Sequence, residues 1–179
     1  GWSWAAVRLA SLTSSATVGN RVAYSLIHHC QHTGLGYGIA INTARVTCEY
    51  NYFDHTRHAI AGTGDVEEQF VYTNNVHGYY ASTHVVDMHG DGSGSNTGAW
   101  GSGIVCENNT FFCKGPQIQT VGRPMIAHFR GTDAQVGEFS FLHNYAPNVP
   151  GDSTAYLNNA GVSPDLNYWL NGEVTGIAA

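Results

Sequence analysis

Apolar residues along this chain recur at alternate positions: Val46, Cys48 and Tyr50; Phe70 and Tyr72; Phe139 and Phe141. A period of two belongs to strands with one buried face, and no stretch shows the spacing of an amphipathic helix. Gly, Asn and Thr separate the runs, so the chain is expected to be all-β with many short strands. The strand ends align as "EYNYF", "YTNNV", "ENNTF" and "LHNYA". Their shared asparagines, Asn51, Asn75, Asn109 and Asn144, lie 24, 34 and 35 residues apart by subtraction of their numbers. A repeat of about 24 residues suits one coil of a parallel β-helix, a solenoid in which each repeat buries its face on its neighbours. The two longer spacings then each hold an insertion, with "DGSGSNTGAWG" (91–101) and the "KGPQIQTVGRP" region (114–124) as candidates. Asn tolerates the left-handed conformation of a sharp corner, and stacked carboxamides can bond coil to coil.

The phrases "YSLIHHCQHTGLGYGIAI", "VTCEYNYFDHTRHAIAG", "IVCENNTFF" and "IAHFRG", with Asn corners between them, resemble the right-handed parallel β-helix superfamily. That superfamily holds pectate-lyase-like enzymes, other polysaccharide lyases and hydrolases, and surface proteins. The resemblance spans roughly residues 20–145 and implies a right-handed parallel β-helix of about five to six coils with loop insertions. Residues 1–179 are read as a single domain, with 1–19 a partial coil or cap and 146–179 a tail or cap. A looser similarity is to archaeal disaggregatase-type surface β-helix proteins, which act on envelope polysaccharide. The calcium-binding aspartates and Arg signature of pectate lyases are absent, as is the Asn-Thr-Asp motif of polygalacturonase-type hydrolases.

A second set of strands aligns as "AIAGTG" (59–64), "VVDMHG" (85–90) and "IAHFRG" (126–131). Ile60 and Gly62, Val86 and Met88, and Ala127 and Phe129 suit the interior, which turns the other parity outward. Neighbouring strands lie about 4.8 Å apart, so Thr63, His89 and Arg130 should form one ladder and Ala61, Asp87 and His128 the next. The expected result is a solvent-facing patch of two His, an Asp and an Arg on a flat face. Ala40 and Ala61 beside it leave space for an extended polymer. Asp54, His55, Arg57 and His58 occupy the corner before the first of these strands, and His84 aligns with His58.

Composition narrows the partners. Only 11% of residues are charged, the formal charge is -6, and Lys114 is the sole lysine. No basic run is present to hold nucleic acid or an anionic membrane, and no apolar stretch approaches the roughly 20 residues of a membrane span. The opening "GWSWAAVRLASLTSS" does not read as a signal peptide, so the chain reads as a mature protein or a piece of a longer one. Cys30, Cys48, Cys106 and Cys113 form no CxxC pair; a Cys106–Cys113 bridge, a Cys30–Cys48 bridge and buried free thiols all stay open. Scarce lysine, abundant Asn and paired cysteines together point to an extracellular or cell-surface protein.

The chemistry follows from the patch. β-Elimination of a uronate polymer needs a cation to offset the carboxylate and a base to take the adjacent proton. Arg130 or Arg57 would be the cation and His89 or His128 the base, with Asp87 in the same catalytic cluster and Arg57, His58, His84 and Thr63 holding substrate. Hydrolysis would need a second carboxyl group at a set distance from Asp87, brought in as Asp91 or Glu107. Lyase chemistry uses the residues that cluster and is preferred. Noncatalytic glycan binding and a salt-bridged ladder that fixes strand register stand against both, as does an adhesive or filament-forming scaffold that associates end to end.

No cofactor is required by this reading. "DGSGSN" has the oxygen-rich character of a calcium loop but lacks the spacing and closing Glu of an EF-hand, so a turn is expected there. His28, His29 and His32, or His89 and His128, could hold a transition metal, although ten histidines make chance clusters common. Asn108 heads a glycosylation sequon. Trp2 and Trp4 are expected to cap the helix end.

Overall fold

The computed structural model describes residues 4–13, 15–32, 34–81, 83–90, 98, 101–113, 126–130, 139–150, 157–158 and 168–170. Each coil contributes one strand to each of three faces in turn. The first sheet holds β1 (Ala5–Ala10), β4 (Tyr37–Asn42), β7 (Ile60–Gly62), β10 (Val86–Met88), β13 (Ala127–Phe129) and β16 (Leu157–Asn158). The second holds β2 (Thr17–Ala23), β5 (Ala44–Glu49), β8 (Gln69–Thr73), β11 (Gly103–Glu107) and β14 (Phe139–Leu142). The third holds β3 (Leu26–His28), β6 (Tyr52–Asp54), β9 (Val76–His77), β12 (Thr110–Phe111), β15 (Tyr145–Pro150) and β17 (Tyr168–Leu170).

Neighbouring strands of all three sheets pair in parallel, and the described residues contain no helix. The molecule is therefore a parallel β-helix of about five coils. The first strand begins at Ala5, within the stretch expected to be a partial coil. β16 and β17 add to the sheets beyond residue 145, where the coils were expected to end. The insertion at 91–101 falls between β10 and β11, and that at 114–124 between β12 and β13. Both lie almost wholly outside the described residues.

Alternation does what it should. Along β5 the buried positions are Ala44, Val46 and Cys48, and along β8 they are Phe70 and Tyr72. From the first sheet Ile39, Ile60, Val86, Met88 and Phe129 point inward, and from the third Ile27, Phe53 and Phe111. Each large apolar side chain so buried contributes about 1.5–3 kcal/mol. Because every side chain stacks on the same position one coil along, the core is a set of columns rather than a single centre.

The asparagines form the expected ladder. The backbone N–H groups of Ser25, Asn51, Asn75 and Asn109 donate to the Oδ1 atoms of Asn51, Asn75, Asn109 and Asn144 at 2.9–3.1 Å. Each Nδ2 also donates to a backbone carbonyl at the same corner of the preceding coil, as Asn75 does to Cys48 at 2.9 Å. The conformational reason differs from the expected one. The left-handed residues are those just before the ladder, Tyr24, Tyr50, Asn74, Asn108 and His143, with φ of 53–56°. The ladder asparagines are selected for their buried carboxamides, not for backbone tolerance. All four cysteines are buried free thiols, so neither bridge is formed. Cys48 and Cys106 are separated by the intervening strand that carries Tyr72, which pairs with both. One of the three signs of an extracellular protein is thereby withdrawn.

Candidate functional site

The outward row of the first sheet runs Arg8, Ala40, Ala61, Asp87, His128 in register. The Ala61–Asp87–His128 ladder is thus the expected one. His89 and Arg130 follow their strands with N–H bonds to the carbonyls of Gly62 and Met88, which continues the parallel pairing. Gly64 makes this end of the sheet possible. Its φ is 89°, and a Cβ there would collide with the backbone of His89 and with Cα of Gly90, 2.7 Å away.

The patch is not the open, solvent-facing array that alternation implied. Asp87 is 0% exposed, because its short carboxylate is covered by long neighbours. Arg130 reaches over it in a bidentate pair, Nε to Oδ1 at 2.8 Å and Nη2 to Oδ2 at 2.7 Å. His84 and His89 bring their Nε2 atoms to 3.2 Å from the same Oδ2, and His58 its Nε2 to 3.6 Å. His58 and His84 stack with ring centroids 4.3 Å apart, and His84 meets His128 edge-on at 4.8 Å. Sequence pattern places side chains on a face but is blind to what folds over them.

Burial by itself favours the neutral form of Asp87, but the groups packed on its carboxylate outweigh it and hold the pKa well below the usual carboxylate range. Burial, followed by His84, pushes His58 well below its ordinary value, leaving a neutral ring. Arg130 directs Nε and Nη2 at Asp87 and Nη2 also at His84, so its guanidinium is turned into the cluster. Of the side chains set against Asp87 Oδ2, His89 keeps the greatest exposure, 23%, and His128 beside them is also partly exposed. Asp87 therefore lies buried behind His89.

Beside His89 lies a groove of about 210 Å³ lined by Trp4, Tyr37, Ala40, Ala61, Thr63 and His89. Ala40 and Ala61 form its floor, as their small size suggested. Trp4 stands edge-on to Tyr37 with centroids 5.6 Å apart and walls the groove just ahead of β1, the end strand of the sheet. Trp2 lies outside the described residues. Arg8, exposed, sets its guanidinium 4.8 Å from the Trp4 ring, and Arg57 sits 5.5 Å from Tyr37. Arg57 and His58 mark one edge of the first sheet, Thr63 and His89 the other.

Other expected groups fall elsewhere. Glu107 lies on β11 in the second sheet, where it bonds Ser140, so it supplies no second carboxyl group beside Asp87; Asp91 lies outside the described residues. Thr63 points its hydroxyl to Glu68 at 2.6 Å. Glu68 was not anticipated. Buried, it also accepts from the N–H groups of Thr43 and Gly64 at 2.9 and 2.8 Å, and burial lifts its pKa to about 7 despite these donors. Tyr37 was also missed, although its alignment with His58 at the same corner could have exposed it. Their rings stack at 5.2 Å. No protein-family model, curated protein or solved structure matches the chain.

Proposed function

We propose that the first sheet binds an acidic polysaccharide laid across the coils, and that His89 acts on it as the base of a β-elimination. The observation that carries this reading is the aromatic-walled, alanine-floored groove that ends at His89 with buried Asp87 behind it. Trp4 and Tyr37 offer faces on which sugar rings stack, and Arg8 and Arg57 offer positive charge to uronate groups. His89 donates Nε2–H to Asp87, which makes Nδ1 the basic nitrogen of the ring. His89 takes the proton α to the carboxylate, the electron pair becomes a C=C bond, and the glycosidic oxygen departs from the β-carbon with a proton returned by the imidazolium. This chemistry, with the fold, is in keeping with the polysaccharide-acting β-helix proteins that the sequence resembles, and it favours a secreted or surface location.

A scaffold is the second reading. The bidentate Arg130–Asp87 pair clamps neighbouring coils and would serve a purely structural protein equally well. The two separate on ultraviolet absorbance of unsaturated product from a panel of uronate polymers. The enzyme reading expects a rise with the native protein and its loss in a folded His89→Gln variant. No rise on any member, or an unchanged rate in the variant, removes His89 from catalysis.

A further inference from the structure

Four nitrogen atoms crowd one oxygen, Asp87 Oδ2, and they cannot all be donors. His58 Nδ1 lies 2.6 Å from the carbonyl oxygen of His84, which can only accept, so Nδ1 carries the ring proton. Its Nε2 is then a lone pair, buried in a side chain 1% exposed, without a hydrogen-bond partner, and aimed at another acceptor 3.6 Å away. For His84 the same logic runs through Arg130. The guanidinium Nη2 is 2.8 Å from His84 Nε2 and has only protons to give, so this Nε2 is also an acceptor, although it lies 3.2 Å from Oδ2.

Two imidazole lone pairs and a carboxylate oxygen thus converge, all within 4.8 Å of one another. Mutually repulsive acceptors in a dry site need a cation among them. Arg130 serves His84 and Asp87 but not His58 Nε2.

We infer that His58 Nε2, His84 Nε2 and Asp87 Oδ2 form a binding site for a divalent transition metal of the zinc class, which displaces the Arg130 guanidinium. Ligand bonds of about 2.0–2.2 Å in tetrahedral array put donor atoms roughly 3.3 Å apart. The two separations from Oδ2, 3.2 and 3.6 Å, already approach this. The bond from His58 Nδ1–H to a backbone carbonyl is the outer support that fixes the tautomer of metal-binding histidines. Two nitrogens and one oxygen favour zinc, cobalt or nickel over calcium or magnesium. His89, whose Nε2 is 3.2 Å from the same oxygen, stands at the more exposed side, where a fourth ligand would enter.

The test is titration of the chelator-treated protein with Co²⁺, followed by visible absorption, and with Zn²⁺, followed by calorimetry. It is done in a His28→Ala, His29→Ala background to remove the exposed pair whose Nδ1 atoms lie 2.6 Å apart. One equivalent should bind, with the intense bands of four-coordinate Co²⁺. His58→Ala should weaken binding by at least about 100-fold, the upper range seen for loss of outer-shell support alone. Arg130→Met should tighten it by removing the competing cation. No stoichiometric uptake by the background protein overturns the inference, as does uptake unaltered in folded His58→Ala. Should that variant not fold, the cobalt spectrum of the background protein and the direction of the Arg130→Met change decide the matter. No saccharide enters this test, so its failure leaves the proposed function to stand or fall separately.

Discussion

At the residue scale, the corners separate two jobs that sequence alone merges. "NN" at 74–75 offers two asparagines with one name and different work: Asn74 holds φ at 56°, while Asn75 holds the ladder. Asn74→Gly should change stability by no more than about 0.5 kcal/mol, since Gly adopts this conformation without strain. Asn75→Ala strands the buried N–H of Asn51 and carbonyl of Cys48, and should cost about 3 kcal/mol. Urea denaturation of both variants checks the contrast; equal losses would contradict it. The ladder was legible because its period shows in the sequence. Which asparagine of each pair does what was not, since left-handed backbone carries no apolar signature.

Glu68 belongs to the same scale. Its folded pKa of about 7 exceeds the 4.5 of an unperturbed glutamate, so the folded protein keeps a proton that the unfolded chain has already released. Its contribution to stability is fully present below about 4.5 and falls as pH rises to about 7. At about 1.4 kcal/mol per pH unit, the loss across this window approaches about 3 kcal/mol. Melting curves of native protein and Glu68→Gln between these values should converge at low pH in slope and diverge above it, with the variant flatter. Parallel curves would mean that the three donors keep Glu68 ionised throughout.

At the element scale, the first sheet was read with the right register and the wrong exposure. Ala61, Asp87 and His128 pair as alternation demands, because parity is fixed by the interior residues Ile60, Val86 and Ala127. Cover over Asp87 comes from Arg130 and from the corner residues His58 and His84, and a side chain folding back over its neighbour leaves no trace in periodicity. Removing one partner of such a buried pair costs about 3–5 kcal/mol. Arg130→Ala should therefore destabilise by about that amount in denaturant, more than Arg8→Ala, whose exposed charge should matter within about 0.5 kcal/mol. A smaller Arg130 effect would show the cluster to be held by its histidines alone.

On the scale of the whole molecule, three parallel sheets give a long, straight outer face, and sequence resemblance to polysaccharide-acting β-helices implied that such a face would carry function. The groove's place is set by a size contrast along one row: Arg8 at one end, Asp87 with its cover at the other, and Ala40 and Ala61 between. Filling that floor should abolish binding without disturbing the core, because both alanines face outward from strands whose interior residues are unchanged. The most direct measurement is calorimetric titration of native protein and an Ala61→Leu variant with uronate oligosaccharides, after matching far-ultraviolet dichroism confirms that both are folded. Binding by the native protein and its loss in the variant is the expected result. Equal binding by both, or none by either across neutral and acidic oligosaccharides, would contradict a saccharide groove on this face.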